Sequence, residues 1–177
     1  MSYLYWTLLA FVIWYLSHQA GRLDRLHHRI DITEAALDSH LGRRAGIVAE
    51  IASIQGLDPV TSAVLAQLSH DVLATEPHEL IDRLQLENEL SDLLIATFDN
   101  QEEVAEWSND NIAKELLQEL RTVCGRVNMS HSFHTEAVVD CRNLRRQLIV
   151  RLFRLAGFAR MPAELNLVSQ IPPGLSD

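Results

Sequence analysis

From Tyr3 to Leu16 the chain carries no charged side chain, and Thr7 is the only residue that interrupts its apolar and aromatic character. Such a run must leave water for lipid or a deep core, so it constrains the fold more than any other stretch. In lipid a single segment has to satisfy its own backbone hydrogen bonds, which means a helix. Crossing about 30 Å of hydrocarbon asks for about 20 residues. That length is reached here by taking in Ser17, His18, Gln19 and Ala20, with some local thinning of the bilayer. Tyr3, Tyr5 and Trp6 at one end and Trp14 and Tyr15 at the other occupy the positions where two membrane interfaces would lie.

The first basic residues, Arg22, Arg25 and Arg29, follow the run instead of preceding it. A cleaved signal would carry its positive charge first, so the order predicts a retained anchor over residues 1–20. The positive-inside rule then puts the N-terminus outside and everything from about residue 21 in the cytoplasm, as a single-pass protein of the cell membrane. Tyr3, Tyr5, Trp6, Trp14, Tyr15, Arg22 and Arg25 are the expected membrane-interface residues, and the lipid bilayer is the first expected partner. Two cysteines, Cys124 and Cys141, fit a reducing compartment. They lie on one expected helix, about 25 Å apart along its axis, too far for a disulfide between them.

A chain of 177 residues has room for one domain besides the anchor. Its net charge of −9 argues against nucleic acid, because binding phosphate backbones needs a basic surface. Leu23, Leu26, Ile30, Leu37, Leu41, Val48 and Ile51 recur at helical spacing, which predicts one helix from the membrane to about residue 53. Asp58-Pro59 reads as a cap and first helical position for a second helix over about 59–74. Thr75-Glu-Pro77 restarts a third, which ends near Asp99-Asn100. The acidic stretch Asp99–Glu103 reads as a solvated connection.

Leu117, Leu120, Cys124, Val127, His131, His134, Val138, Cys141 and Leu148 then step by threes and fours, interrupted at Arg145, in the manner of a coiled-coil seam. This predicts a helix over about 111–155, packed antiparallel against the first. The expected fold class is therefore all-α: an N-terminal single transmembrane helix continuing into an antiparallel long-helix bundle over 21–165, with a disordered tail over 166–177.

Chemistry is harder to find. His131 and His134 stand three apart on the seam with Cys124 and Cys141 near them, which makes His131, His134 and Cys141 metal candidates. One heptad is about 10 Å of axis, however, so a single ion cannot take both Cys124 and His131, and further ligands would come from another helix. Packing and hydrogen bonding is the favoured role for these seam residues. Phosphate loops, dinucleotide fingerprints, the His-Glu-x-x-His signature and the Gly-x-Ser-x-Gly elbow are absent from the sequence. The expectation is accordingly no enzyme, no catalytic residue and no cofactor.

Leu37-Asp-Ser-His-Leu-Gly-Arg-Arg-Ala-Gly-Ile-Val48, the blocks Arg126-Val127 and Ala137-Val138 through Arg142-Asn143, and the ending Leu148–Phe153 with Gly157-Phe158 together resemble the LemA family of bacterial membrane proteins. The likeness covers about half the chain. His134-Thr135 and Cys141-Arg142 stand where that family usually has Tyr-Asn pairs, and residues 57–110 match poorly. The resemblance implies a bacterial inner-membrane protein with a helical bundle behind its span, and it implies little chemistry. The function expected is a non-enzymatic, membrane-anchored helical scaffold or adaptor of LemA-like type, binding a protein partner or a second copy of itself. The alternatives are an accessory subunit of a larger membrane complex, and a metal or redox protein built on the His/Cys seam.

Overall fold

A computed structural model describes residues 2–54, 56–75, 80–153 and 161–176. Among the described residues the regular structure is helical: α1 (Ser2–Ala52), α2 (Pro59–Ala74), α3 (Leu80–Thr97), α4 (Gln101–Trp107), α5 (Asn111–Arg146), α6 (Leu148–Leu152) and a 3-10 turn at Pro173–Leu175. The all-α expectation holds, and α1 and α2 end within a residue or so of the expected places. The chain forms two compact units, one from Met1–Glu34 with Phe133–Glu164 and one from Ala35–Ser132 with Leu165–Asp177. Both long helices contribute to each.

In the first unit Leu23 and Ile30 of α1 are buried against Ala137, Val138, Cys141 and Leu144 of α5. Thr33 meets His134, and Arg29 meets Glu136 and Asp140, so residue numbers rise on one helix as they fall on the other. The two segments are antiparallel here, as the seam implies. That seam continues past Cys141 through Leu144, three percent exposed, while Leu148 is 80% exposed. The expected helix over 111–155 stops at Arg146 and restarts at Leu148, which takes Leu148 out of register. The last part of that expected helix, and Gly157-Phe158, lie outside the described residues.

The second unit holds the larger core, in which Val48, Ile51, Leu65, Leu90, Leu94 and Leu120 are essentially inaccessible. Asp58 caps α2 as its sequence predicts, with Oδ2 accepting from the backbone N–H groups of Val60 and Thr61 at 3.1 Å each and Pro59 in the first turn. Gly56, at φ 141°, makes the reversal before that cap. This backbone angle favours glycine, and the Trp107 ring lies 3.5 Å from where a Cβ would stand.

Two expectations are corrected in this unit. The acidic connection Asp99–Glu103 leads directly into α4, whose N-terminus Asn100 caps by accepting from Glu102 N–H at 2.9 Å. Val104 and Trp107 then pack on the core. The 166–177 tail, expected to be disordered, is packed as far as the described residues extend. Leu165 and Leu167 are buried with Leu37, Leu41 and Val127, and Leu175 joins the main core. Asn88 clamps the extended chain from both sides, donating to the Asn166 carbonyl at 2.9 Å and accepting from Val168 N–H at 2.8 Å. A stretch with few apolar residues finds enough to bury because a side-chain amide supplies backbone pairing that a sheet would otherwise provide.

Among the described residues no helix is long and apolar enough to cross a membrane. The expected single span is therefore unsupported. The uncharged, largely apolar part of α1, Tyr3–Leu16, covers about 21 Å of helix axis, and Ser17, His18 and Gln19 dilute the run just where the remaining length would be needed.

Candidate functional site

Every residue from Tyr3 to Trp14 is exposed on α1, and ten of them are large hydrophobics, among them Leu4 at 73%, Trp6 at 69% and Ile13 at 59%. Soluble surfaces carry single exposed leucines, but a contiguous apolar sleeve around a helix marks an interaction site. The expected interface residues Tyr3, Tyr5, Trp6 and Trp14 all belong to it, and Tyr15 is half-buried at its end. Trp14 stacks on His18 with ring centroids 6.0 Å apart, and the buried Gln19 donates to the Tyr15 hydroxyl at 2.9 Å. The apolar sleeve thus gives way to hydrogen-bonded polar chemistry within one turn.

Directly behind that transition a hollow of about 410 Å³ opens between α1 and α5, with Arg22, Arg25 and Arg29 on one wall and Asp140, Asn143 and Gln147 on the other. The arginines share a face because they fall at i, i+3 and i+7. Arg29 is bound to Glu136 at 3.2 Å and to Asp140 at 3.8 Å, all three about half exposed. Pairs this wet are worth about 0–1 kcal/mol. Arg22 reaches only the Gln19 amide oxygen, at 3.5 Å, and among the described residues no carboxylate pairs with Arg22 or Arg25.

The seam residues separate. Both ring nitrogens of His131, in the second unit, are engaged: Nε2 donates to the Leu165 carbonyl at 3.0 Å, and Nδ1 lies 3.1 Å from the Ser169 hydroxyl. His134, in the first unit, is two percent exposed with Nδ1 3.4 Å from the Thr33 hydroxyl. Cys124 and Cys141 are both buried thiols. Burial pushes the Cys124 thiol above its ordinary pKa, partly offset by the Arg44 guanidinium. Burial does the same to Cys141, offset by Arg145. Raised values keep both as neutral thiols near pH 7, the opposite of what a nucleophile or a metal-binding thiolate needs. Among the described residues no group of three or more His, Cys, Asp or Glu side chains is placed to hold a metal ion.

The most polar interior point is one that sequence reasoning missed. Arg44, one percent exposed, bonds Glu87 Oε2 at 2.7 Å, the Glu87 carbonyl at 3.2 Å and Ser91 Oγ at 2.9 Å. Arg83 stands 3.9 Å from the other Glu87 oxygen and binds Asp38 at 2.6 Å. The signal was present: Arg44 falls three after Leu41 and four before Val48, and Glu87 three after Leu84 and three before Leu90, each a charge set inside an apolar stripe. Arg44 and Glu87 are sealed from solvent, while the chain of pairs reaches the surface at the half-exposed Asp38, so the network pins α3 to α1 within the second unit.

Compared with known proteins, the chain matches no protein-family model, no curated protein and no solved structure.

Proposed function

We propose that this chain is a non-enzymatic helical scaffold held on a membrane by the first four turns of α1, with a layout like that of the LemA proteins. The observation that carries this reading is the exposed apolar sleeve from Tyr3 to Trp14. Burying a large apolar side chain is favourable by about 1.5–3 kcal/mol, so ten of them left in water make a strong drive toward lipid. The thiols held neutral by burial and the sealed Arg44–Glu87 pair support a structural role for the helical units.

In its full form the proposal has α1 crossing a locally thinned bilayer, N-terminus outside, with the arginines from Arg22 onward in the cytoplasm. Residues 2–21 contain no Asp, Glu, Lys or Arg, and twenty helical residues span about 30 Å. The test is vesicle flotation of the full-length protein, followed by labelling of a Tyr3→Cys variant in intact cells with a membrane-impermeant maleimide. Flotation abolished by Phe11→Asp with Ile13→Asp supports the tether, and failure of the unaltered protein to float refutes it. External labelling at position 3 supports the crossing, whereas protection there with flotation intact leaves a helix inserted from one face only. The buried Cys124 and Cys141 keep the background low.

A further inference from the structure

The hollow lined by Arg22, Arg25 and Arg29 has the chemistry of a phosphate site, and its place on α1 says which phosphate. Three guanidiniums have two carboxylates beside them, Asp140 in the wall and Glu136 next to it, and Arg29 engages both. Arg22 and Arg25 are left with donors that match phosphate oxygens in bidentate geometry. Asn143 and Gln147 add neutral donors on the opposite wall, and the buried Leu144 with half-buried Leu26 forms the floor.

Arg22 lies six residues past Leu16, about 9 Å along the axis. The headgroup layer begins about where the apolar sleeve ends. Helical side chains lean toward the helix N-terminus, which tips long arginine side chains back toward the sleeve. Leu148 and Leu152, at 80% and 77% exposure, come after Gln147 in the same unit and add exposed apolar surface to it.

We infer that this hollow binds the phosphate of an anionic phospholipid headgroup once the sleeve is in the membrane. The inference rests on the membrane-tether reading. It is tested on the full-length protein with phosphatidylcholine vesicles, with and without phosphatidylglycerol, and with inorganic phosphate added to the protein in nonionic micelles.

The expected result is tighter partitioning onto the anionic vesicles, which Arg22→Gln with Arg25→Gln weakens about thirtyfold, since each basic residue at an anionic surface contributes about a fivefold factor. Partitioning onto pure phosphatidylcholine should be unchanged by that pair. Arg146→Gln with Arg151→Gln removes the same charge from the same unit outside the hollow, and should cost less than about threefold. Equal losses for the two pairs would mean diffuse charge attraction and overturn the site while leaving the tether standing. An Arg22/Arg25-dependent rise in melting temperature with inorganic phosphate, without any anionic-vesicle preference, would make the ligand a soluble phosphate and overturn the lipid assignment. No flotation on any vesicle would sink both the tether and the headgroup.

Discussion

Replacing Glu87 by Gln keeps the shape of that side chain and strands the Arg44 guanidinium at a site one percent exposed. Breaking a buried pair from one side costs about 3–5 kcal/mol, so Glu87→Gln is expected to lower the denaturant midpoint sharply. Arg44→Met with Glu87→Leu should recover most of that loss, because removing both charges removes the stranded one. Gly174 answers to a different constraint: its N–H donates to the Phe98 carbonyl at 2.7 Å, and an added Cβ would stand 2.6 Å from that same oxygen. Gly174→Ala should destabilise by about 1–3 kcal/mol, the usual range for overpacking, read as a shift in urea midpoint. Burial raises the thiol pKa of Cys124 and Cys141. The unfolded chain then loses these protons first as pH climbs. The stabilisation from the neutral thiols is therefore complete below about pH 8.5 and is lost as pH rises through the folded-state values. Melting temperature measured from pH 8 to 10 should fall, and Cys124→Ala should flatten part of that slope.

At the scale of elements, α4 shows both what the sequence reveals and what it conceals. Asn100 followed by Glu103 is the pattern of a capped helix start, yet with so many acids around it Asp99–Glu103 reads as a solvated link. Asn100→Ala should cost about 1 kcal/mol, measured as lost protection of α4 amides in hydrogen exchange. Long helices were legible because an apolar stripe repeated over many turns leaves one interpretation: Leu23 to Ile51 marks out α1, and Leu117 to Cys141 marks out α5. The stop at Arg146 was not legible, since no Gly or Pro stands there and Leu148 keeps the spacing. The packed segment around Leu165 and Leu167 was equally hidden, because its support comes from Asn88, nearly eighty residues away. Of the candidate site, the sleeve and its arginines could be read directly from charge and hydropathy. The hollow could not, since Asn143 and Gln147 carry no signal until α5 is laid against α1.

Over the whole molecule, the second unit is assembled from two separated stretches, Ala35–Ser132 and Leu165–Asp177, with Phe133–Glu164 given over to the first. A variant ending at Glu164 would lose Leu165, Leu167 and Leu175 from the packed interior. It is expected to melt well below the full chain, each large buried side chain being worth about 2–5 kcal/mol. Calorimetry tests this, and an unchanged melting temperature would show that the stretch from Leu165 onward contributes nothing. The same stretch sets an order of events during synthesis. On the tether reading, the apolar turns of α1 are translated ahead of both units' remaining stretches and are free to engage lipid early. The second unit, however, waits with an open seam along Leu37, Leu41 and Val127 until the stretch around Leu165 has been translated. On that reading the nascent protein is held at the membrane before it is closed, with an interval in which that seam is bare.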